Sequence, residues 1–322
     1  MRGISLIVAA FAAAFVSSAG LAQQAYPSKP VRLIIPFPPG GSNDVVGRMF
    51  AQQLGERLGQ SVVIENRGGA GGTIGTDAAA KSAPDGYTLL LVSIAYSFSP
   101  AMYKSLPYDP ARAFTPVGPI GAGPVVLVVH PSVPIKSTKE LIAFAQAKPK
   151  ALRIASAGIG SFQHLAGELF RLQGKAEMLH VPYKGGGPAM TDVLGGHAEV
   201  MMGSLIQTIP HIRTGKLRAL GVSGMKRNPA LPDVPTIAEA ALPQYDATNW
   251  WGVVAPAGTP PAIIARLHGD ITAIVSSPET RKRLENEGAE ALQMSSADFG
   301  RFILAETTKW SKVVVEAGMK GE

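Results

Sequence analysis

A short apolar strand that runs into a glycine-bearing loop and then directly into a helix occurs twice in this chain. The first copy is residues 31–59, VRLIIPFPPGGSNDVVGRMFAQQLGERLG, and the second is residues 151–172, ALRIASAGIGSFQHLAGELFRL. A strand that ends in glycines at a helix N-terminus leaves backbone N–H groups without partners, and such groups hold anions without a charged side chain. Two such units predict two lobes that grip a small acidic ligand.

The first 22 residues have the pattern of an export signal. Arg2 gives a positive start, residues 4–16 are apolar, and the segment ends in the small-x-small site Gly20-Leu21-Ala22. The apolar run is shorter than the about 20 residues that a membrane-spanning helix needs. We therefore expect residues 1–22 to be a signal peptide cleaved near Ala22, and the mature protein to be soluble in the periplasm.

Composition excludes several classes of site. The chain has no cysteine, which rules out disulfides, thiolate metal sites and cysteine nucleophiles. Its six histidines show neither H-x-H nor H-E-x-x-H spacing, so no metal site is expected. The formal net charge of +7 comes from scattered cations with no basic run interleaved with aromatics, so we expect no nucleic acid partner.

Strand and helix patterns alternate along the chain, which predicts an α/β fold with largely parallel sheets covered by helices. Strands at residues 31–37, 62–65 and 87–92 are echoed by strands at residues 152–156, 178–181 and 199–203, with glycine loops in the same places. The echo indicates two lobes, although any α/β chain repeats such units and coincidence is the alternative. Apolar runs at residues 125–129 and 251–255 are the expected links between the lobes.

The loop at residues 36–44, PFPPGGSND, is the strongest candidate ligand site. Gly40 and Gly41 let a ligand approach the backbone, Ser42 offers a hydroxyl, and Asp44 lies in the first helical turn. The alternative is an ordinary strand-to-helix turn, capped by Ser42 or Asn43, in which Asp44 only offsets the helix dipole.

Other candidates follow the remaining strands, because ligands of open α/β sheets bind at the carboxyl ends of strands. In the second lobe Ser156, Gly160 and Ser161 repeat the pattern of the first loop. Tyr183 could offer a ring and a hydroxyl, or could be structural. Ser93, Tyr96, Ser97 and Ser204 follow the third strands of the two lobes.

Competing chemistries fit the sequence poorly. Residues 65–75, ENRGGAGGTIG, miss the dinucleotide fingerprint by one position and follow the second strand, so we expect a tight turn and no cofactor. No G-x-S-x-G elbow occurs, which argues against a hydrolase. Trp250 and Trp251 are expected to pack in the core near the lobe crossing, although they could form a stacking platform.

Seven motifs together resemble one known family. In order they are PFPPGGSND, ENRGGAGGTIGTDAAAKSAPDGYTLL, LPYDP, HVPYKGGGPAMTDVLGG, GKLRAL, LPDVPTIAE and WWGVVAPAGTP. They look like those of the Bug-type receptors, the periplasmic solute-binding proteins of tripartite tricarboxylate transporters. The similarity covers essentially the whole mature chain.

The resemblance implies a two-lobed, type II periplasmic binding protein fold whose lobes close over one small organic carboxylate. We place lobe one at residues 26–124 and 249–322, and lobe two at residues 125–248. The resemblance assigns ligand contacts to Phe37, Gly40, Gly41 and Ser42 of lobe one, to Ser156, Gly160 and Ser161 of lobe two, and to the loop of Ser93 and Ser97. Ala95 and Tyr96 stand where the family often carries a polar residue, and the bulky Tyr96 ring suggests an unusual or aromatic ligand.

We therefore expect a monomeric binding protein, not an enzyme, that delivers an organic acid to integral membrane transporter subunits. Two alternatives stay open. One is an exported enzyme that acts on a small organic acid or ester in the same cleft, and the other is a ligand sensor for a membrane signalling partner. The motifs do not distinguish an aliphatic di- or tricarboxylate from an amino acid or an aromatic acid.

Overall fold

The structure is a computed structural model that describes residues 26–286 and 288–321, so the expected signal peptide lies outside the described residues. Within that part of the chain, ten strands join in one sheet. The strands are β1 (Val31–Ile35), β2 (Val62–Asn66), β3 (Thr88–Ser93), β4 (Phe114–Val129), β5 (Arg153–Ser156), β6 (Leu179–Pro182), β7 (Val200–Ser204), β8 (Arg218–Val222), β9 (Thr248–Pro256) and β10 (Glu290–Ala291).

Helices cover the sheet. They are α1 (Ser42–Leu58), α2 (Thr73–Ala80), α3 (Ile94–Met102), α4 (Thr138–Ala147), α5 (Phe162–Gly174), α6 (Gly186–Leu194), α7 (Leu205–Arg213), α8 (Ile237–Ala240), α9 (Pro261–Ser276), α10 (Pro278–Asn286) and α11 (Ser296–Glu316). Among the described residues, none of these helices combines the length and apolar character that a bilayer span requires.

The sheet has two parallel ends joined by an antiparallel centre. Its strand order is β2-β1-β3-β9-β4-β7-β5-β6, and β8 and β10 also pair with β4. The β2-β1-β3 end and the β7-β5-β6 end are parallel. Between them, β9 and β4 pair antiparallel with each other and with both ends. We call the β2-β1-β3 end with its helices the first lobe and the β7-β5-β6 end the second. The predicted two-lobed α/β fold is confirmed.

Strand β4 changes partner where one lobe meets the other. Pro124 pairs with Thr248 of β9, whereas the next residue, Val125, pairs with Ser204 of β7. The domain boundaries given above stay a prediction. Strand β4 begins well before the apolar run at residues 125–129 and contains two prolines in its first half. Pro116 and Pro119 both lie beside shifts in register, so the pairing with β9 continues past them. Such bulges accommodate a residue that cannot donate to the ladder.

Helix α3 was not predicted; the sequence reasoning treated the chain after β3 as a loop. Ile94, Ala95, Phe98 and Met102 form its buried stripe, which is adjacent to α11. Two serines and Pro100 in the same helix obscure that stripe, because serine and proline are poor residues for a helix interior. Tertiary packing decides the conformation here.

The tryptophans of β9 lie in the core, as expected. Trp250 and Trp251 are both 1% exposed. The Trp250 ring meets Phe299 of α11 edge to face at a centroid distance of 5.8 Å, and Trp251 packs with the apolar residues between α1, α9 and the sheet. The lobe crossing is therefore anchored by large buried side chains.

Candidate functional site

A cavity of about 40 Å³ lies where the two lobes meet. Its wall comes from loops that follow strands of both lobes, and from the crossing strands through Val125 and Asn249. One ordered water needs roughly 10–15 Å³, so this space can admit a small ligand group.

Five helices begin at the wall of this cavity. The residue that precedes the first turn of each helix lines it, two from the first lobe and three from the second. These N-cap residues are Gly41 (α1), Ser93 (α3), Ser161 (α5), Gly185 (α6) and Ser204 (α7). Each helix N-terminus carries about half a positive elementary charge, so the cavity has a positive potential without any cation.

Backbone N–H groups in the first turns are free to donate into the cavity. Of the three serine N-caps, Ser161 accepts a helix N–H, from His164 N, whereas Ser93 and Ser204 accept none; Gly41 and Gly185 have no side chain to offer. Ser42, Asn43, Phe162 and Gln163 line the cavity, and their backbone N–H groups find no acceptor among the described residues. Such groups need a partner from outside the helix.

No Asp, Glu, Lys, Arg or His side chain is among the described residues that line the cavity. Its polar side chains are neutral hydroxyls and amides, and Phe37, Val125 and Phe162 supply apolar surface. An anion placed here would be held by N–H and O–H dipoles in a poorly hydrated site, where each hydrogen bond is stronger than in water.

Of the residues predicted from sequence to contact a ligand, six line the cavity: Phe37, Gly41, Ser42, Ser93, Ser161 and Ser204. The structure places the other seven elsewhere: Gly40, Asp44, Tyr96, Ser97, Ser156, Gly160 and Tyr183.

Asp44 stabilises the first loop and does not face the cavity. Its Oδ2 accepts from Gly40 N at 3.0 Å and from Arg48 Nε at 2.9 Å, and its Oδ1 accepts from Asn66 Nδ2 at 3.0 Å. Burial acts to raise the pKa of the Asp44 carboxyl, but these hydrogen bonds outweigh it and lower the pKa. The predicted caps also differ, because Gly41 precedes the helix and Asn43 bonds instead to Trp251.

Tyr96 and Ser97 are turned away by helix α3. The Tyr96 hydroxyl donates to Pro110 O at 2.6 Å, and burial raises its pKa. Ser97 is fully buried against the carbonyl of Ile303, 3.5 Å away. Ala95 lines the cavity in their place. The inference of an unusual or aromatic ligand from the Tyr96 ring therefore loses its basis.

Ser156 and Tyr183 make structural hydrogen bonds in the second lobe. Ser156 Oγ lies 2.7 Å from His180 Nε2 and accepts from Gly158 N at 3.1 Å, which shapes the loop before α5. Tyr183 donates to Asp192 Oδ2 at 2.7 Å, and burial together with that carboxylate raises its pKa to about 12.

Among the described residues, the contacts between the lobes include a hydrogen bond and a close backbone approach across the cleft. Gln207 Nε2 of α7 donates to Gly40 O of the first lobe at 2.7 Å. Gly71 and Gly160 meet backbone to backbone, and a Cβ built on Gly160 would lie 3.2 Å from Gly71 Cα. Both glycines have positive φ, +61° and +73°. The structure is therefore a closed arrangement of the two lobes.

A larger groove adjoins the cavity. Its volume is about 710 Å³, and it shares Phe37, Pro38, Ala157 and Gly185 with the cavity wall. The glycine run at residues 68–72 and Tyr183 line its outer part. That run contains a single 3-10 turn, Ala70–Gly72, in agreement with the expected tight turn.

Sequence reasoning missed several residues of the cavity wall: Asn43, Gln163, Gly185, Gly186 and Asn249. Asn43 and Gln163 lie in the first turns of helices already singled out, so their position beside the caps could have found them. Asn249 precedes the predicted return strand, and only the pairing of β9 with β4 brings it to the cavity.

Histidines do not form a metal site in the described part of the chain, where no group of three or more His, Asp or Glu side chains is placed to hold an ion. His164 and His180 stack with ring centroids 4.0 Å apart. Burial lowers the pKa of each to about 4, so both rings are neutral at pH 7.

Comparison with known proteins gives a consistent assignment. The model of the family described as tripartite tricarboxylate transporter family receptor matches residues 46–319. Protein BugT of Bordetella pertussis is 40% identical over 312 residues, which span 95% of this chain and 96% of BugT.

Two solved structures share the fold over nearly the whole chain. R. palustris Rpa4515 with adipate has a TM-score of 0.89 and 36% identity, and covers 92% of this chain and 99% of its own. MatC (Rpa3494) from Rhodopseudomonas palustris with bound malate has a TM-score of 0.85 and 31% identity, and covers 90% of this chain and 100% of its own. By sequence and by fold, this chain belongs to the tripartite tricarboxylate transporter family of receptors.

Proposed function

We propose that this protein is a periplasmic receptor that captures one small organic carboxylate between its lobes and delivers it to an integral membrane transporter of the tripartite tricarboxylate type. The observation that carries the proposal is the convergence of five helix N-termini, from both lobes, on one cavity without a charged side chain. Such termini favour an anion.

The carboxylate is held mainly by the free N–H groups of Ser42, Asn43, Phe162 and Gln163. Two of these lie in the first lobe and two in the second, so an anion between them bridges the lobes. Hydroxyls of Ser42, Ser93 and Ser204 line the same space. Adipate and malate in related structures are small carboxylates of the kind that this arrangement suits.

Closure follows from differential binding. A ligand that contacts both lobes interacts with the closed state more than with the open state, and it shifts the population towards closure by that difference. The Gln207–Gly40 hydrogen bond and the Gly71–Gly160 contact add stability to the closed state alone. The closed form is the one that the membrane subunits would recognise.

The ligand is expected to leave unchanged. General acid–base catalysis needs a titratable group within hydrogen-bond reach of the substrate. Among the described residues that line the cavity there is none, which supports binding without turnover.

Calorimetric titration with a panel of mono-, di-, tri- and aromatic carboxylates tests the proposal. We expect saturable binding of at least one acid, and thermal stabilisation of about 2.7 kcal/mol at a hundredfold excess over its dissociation constant. NMR of the recovered acid should show no product. Product formation, or the absence of binding by every acid in the panel, would overturn the proposal.

Export and delivery have their own test. N-terminal sequencing of the protein from the periplasmic fraction should begin at Gln23, and a strain without the gene should take up the bound acid more slowly. A start at Met1 in the cytoplasmic fraction, or uptake unchanged by the deletion, would contradict this part of the proposal.

A further inference from the structure

We infer that the side-chain amides of Asn43 and Asn249 are ligand donors that select a small acid without an ammonium group over the corresponding amino acid. The inference rests on the proposed function and narrows its ligand class. It is carried by two buried amide groups whose nitrogen atoms face the cavity without a partner.

The orientation of the Asn43 amide is determined by its neighbour. Asn43 Oδ1 accepts from Trp251 Nε1 at 2.8 Å. An indole N–H can only donate, so the atom that faces it must be the oxygen. The Nδ2 group of Asn43 therefore points away from Trp251.

Asn249 is oriented in the same manner. Its Oδ1 lies 3.4 Å from the backbone N–H of Ile94, the first residue of α3. A backbone N–H can only donate, and a flipped amide would place two donors against each other. The Nδ2 group of Asn249 therefore also turns away from the protein group that holds its oxygen.

Both amide nitrogens lack a partner. Asn43 and Asn249 are 8% and 6% exposed, they line the cavity, and neither Nδ2 donates to any described residue. Neither nitrogen is among the fully enclosed polar atoms without a partner, so each keeps contact with open space. A buried donor without an acceptor destabilises the site, and a ligand oxygen that accepts from it would remove that cost.

The charge around the cavity disfavours a cation. Four amide hydrogens and the first turns of five helices present their positive ends to one small space. No acidic side chain is among the described residues that line it. The nearby Asp44 carboxylate already accepts hydrogen bonds from Arg48, Gly40 and Asn66. An ammonium group would lose its hydration there without gaining a counter-charge.

Matched acids test this selection. Calorimetry would compare succinate with aspartate, glutarate with glutamate, and 3-phenylpropionate with phenylalanine, because each pair differs only by the α-ammonium group. For the wild-type protein we expect the acid without ammonium to bind roughly 10- to 100-fold more tightly in every pair that binds.

Asn249→Asp and Asn43→Asp are the decisive variants. Each keeps the oxygen that accepts from Ile94 or Trp251, and each replaces the free NH₂ by a negatively charged oxygen. We expect both variants to bind the acid roughly 10- to 100-fold more weakly than the wild-type protein does. The amino acid of the same pair should then bind as tightly as the acid or more tightly. Asn286→Asp, at an exposed position on α10, makes the same chemical change away from the cavity and should change neither affinity.

The outcomes separate the inference from the function on which it rests. Absence of binding by these six compounds and by every other acid of the panel would overturn the proposed function, and the inference with it. Binding that favours the amino acids, or a preference that both cavity variants leave within twofold of wild type, would overturn the inference alone. A folded variant is confirmed by an unchanged far-UV circular dichroism spectrum.

Discussion

The hydrogen bond from Gln207 to Gly40 joins the lobes only when they are closed, so removing it should weaken ligand binding without disturbing either lobe. Gln207 lies on α7 of the second lobe, and its Nε2 donates to the Gly40 carbonyl of the first at 2.7 Å. The change to make is Gln207→Ala. In the open state both groups are free to bond to water, so the variant alters the closed state alone.

The size of the effect follows from the bond. A neutral hydrogen bond contributes about 0.5–1.5 kcal/mol net, which corresponds to about a 2- to 13-fold fall in the closed population. The apparent dissociation constant rises by the same factor when the competent state is a minor one. Gly40 is exposed, so water can replace the lost donor, and this favours the lower end of the range.

Gln146→Ala is the matched control. Gln146 Nε2 donates to Gly174 O at 2.8 Å, a bond of the same type that lies within the second lobe. Titration calorimetry with the tightest acid of the panel would give the affinities, and stopped-flow fluorescence of the buried tryptophans would give the dissociation rates. We expect Gln207→Ala to raise both the dissociation constant and the dissociation rate, and Gln146→Ala to change neither. Equal affinities for the two variants and the wild-type protein would refute the role of Gln207 in closure.

Three further perturbations test other parts of the structure. Gly160→Ala should lower affinity at least about threefold, because the new Cβ would press on Gly71 in the closed state. The control is Gly215→Ala, since Gly215 has a similar positive φ, +69°, and nothing within 4 Å of a built Cβ. Both variants should lose about 1 kcal/mol in unfolding free energy, and equal losses of affinity would refute the role of the Gly160–Gly71 contact. Acid should destabilise the fold through His164, whose pKa is about 4 when folded and 6.5 when unfolded: below pH 6.5 the unfolded chain binds more protons, so stability falls as pH drops towards 4. His164→Phe keeps an aromatic ring that cannot be protonated. Between pH 7 and pH 5 the unfolding free energy of this variant, measured with urea, should fall by about 1–2 kcal/mol less than that of the wild-type protein. An equal fall in the two proteins would contradict this origin. Asp44→Asn should cost about 1–3 kcal/mol in unfolding free energy, since an amide cannot accept all three hydrogen bonds from Gly40, Arg48 and Asn66; a melting temperature equal to wild type would argue against that role.

Local sequence signals were enough to find two of the five helix starts at the cavity. Gly41 and Ser161 stand where an apolar strand pattern gives way to a helical one, and both features lie within a few residues of each other in the sequence. Their convergence could be anticipated because the carboxyl ends of parallel strands share one edge of a sheet. The two-lobed fold followed from the same repeated unit.

The directions of the side chains after a strand could not be predicted from these local sequence signals. Tyr96 and Ser97 follow β3 just as Ser93 does, but helix α3 begins at Ile94 and rotates them towards Pro110 and Ile303. Ser93 at the end of β3 and Ala95 in the first turn of α3 line the cavity, whereas the next two residues of that helix do not.

Residues brought in by tertiary assembly could not be found from local patterns either. Asn249 reaches the cavity because β9 lies between β3 and β4, and Gln207 reaches Gly40 only when the lobes are closed. Neither residue belongs to a motif whose spacing indicates binding. Both depend on strand order and lobe orientation, which no short stretch of sequence specifies.

A crystal structure of the protein with the tightest-binding acid of the panel tests most directly whether backbone dipoles hold the ligand. We predict carboxylate oxygens within about 2.7–3.2 Å of the N–H groups of Ser42 or Asn43 on one side and of Phe162 or Gln163 on the other. An acid seated in the outer groove with its carboxylate paired to Lys184, and the cavity between the lobes filled only by water, would contradict that prediction.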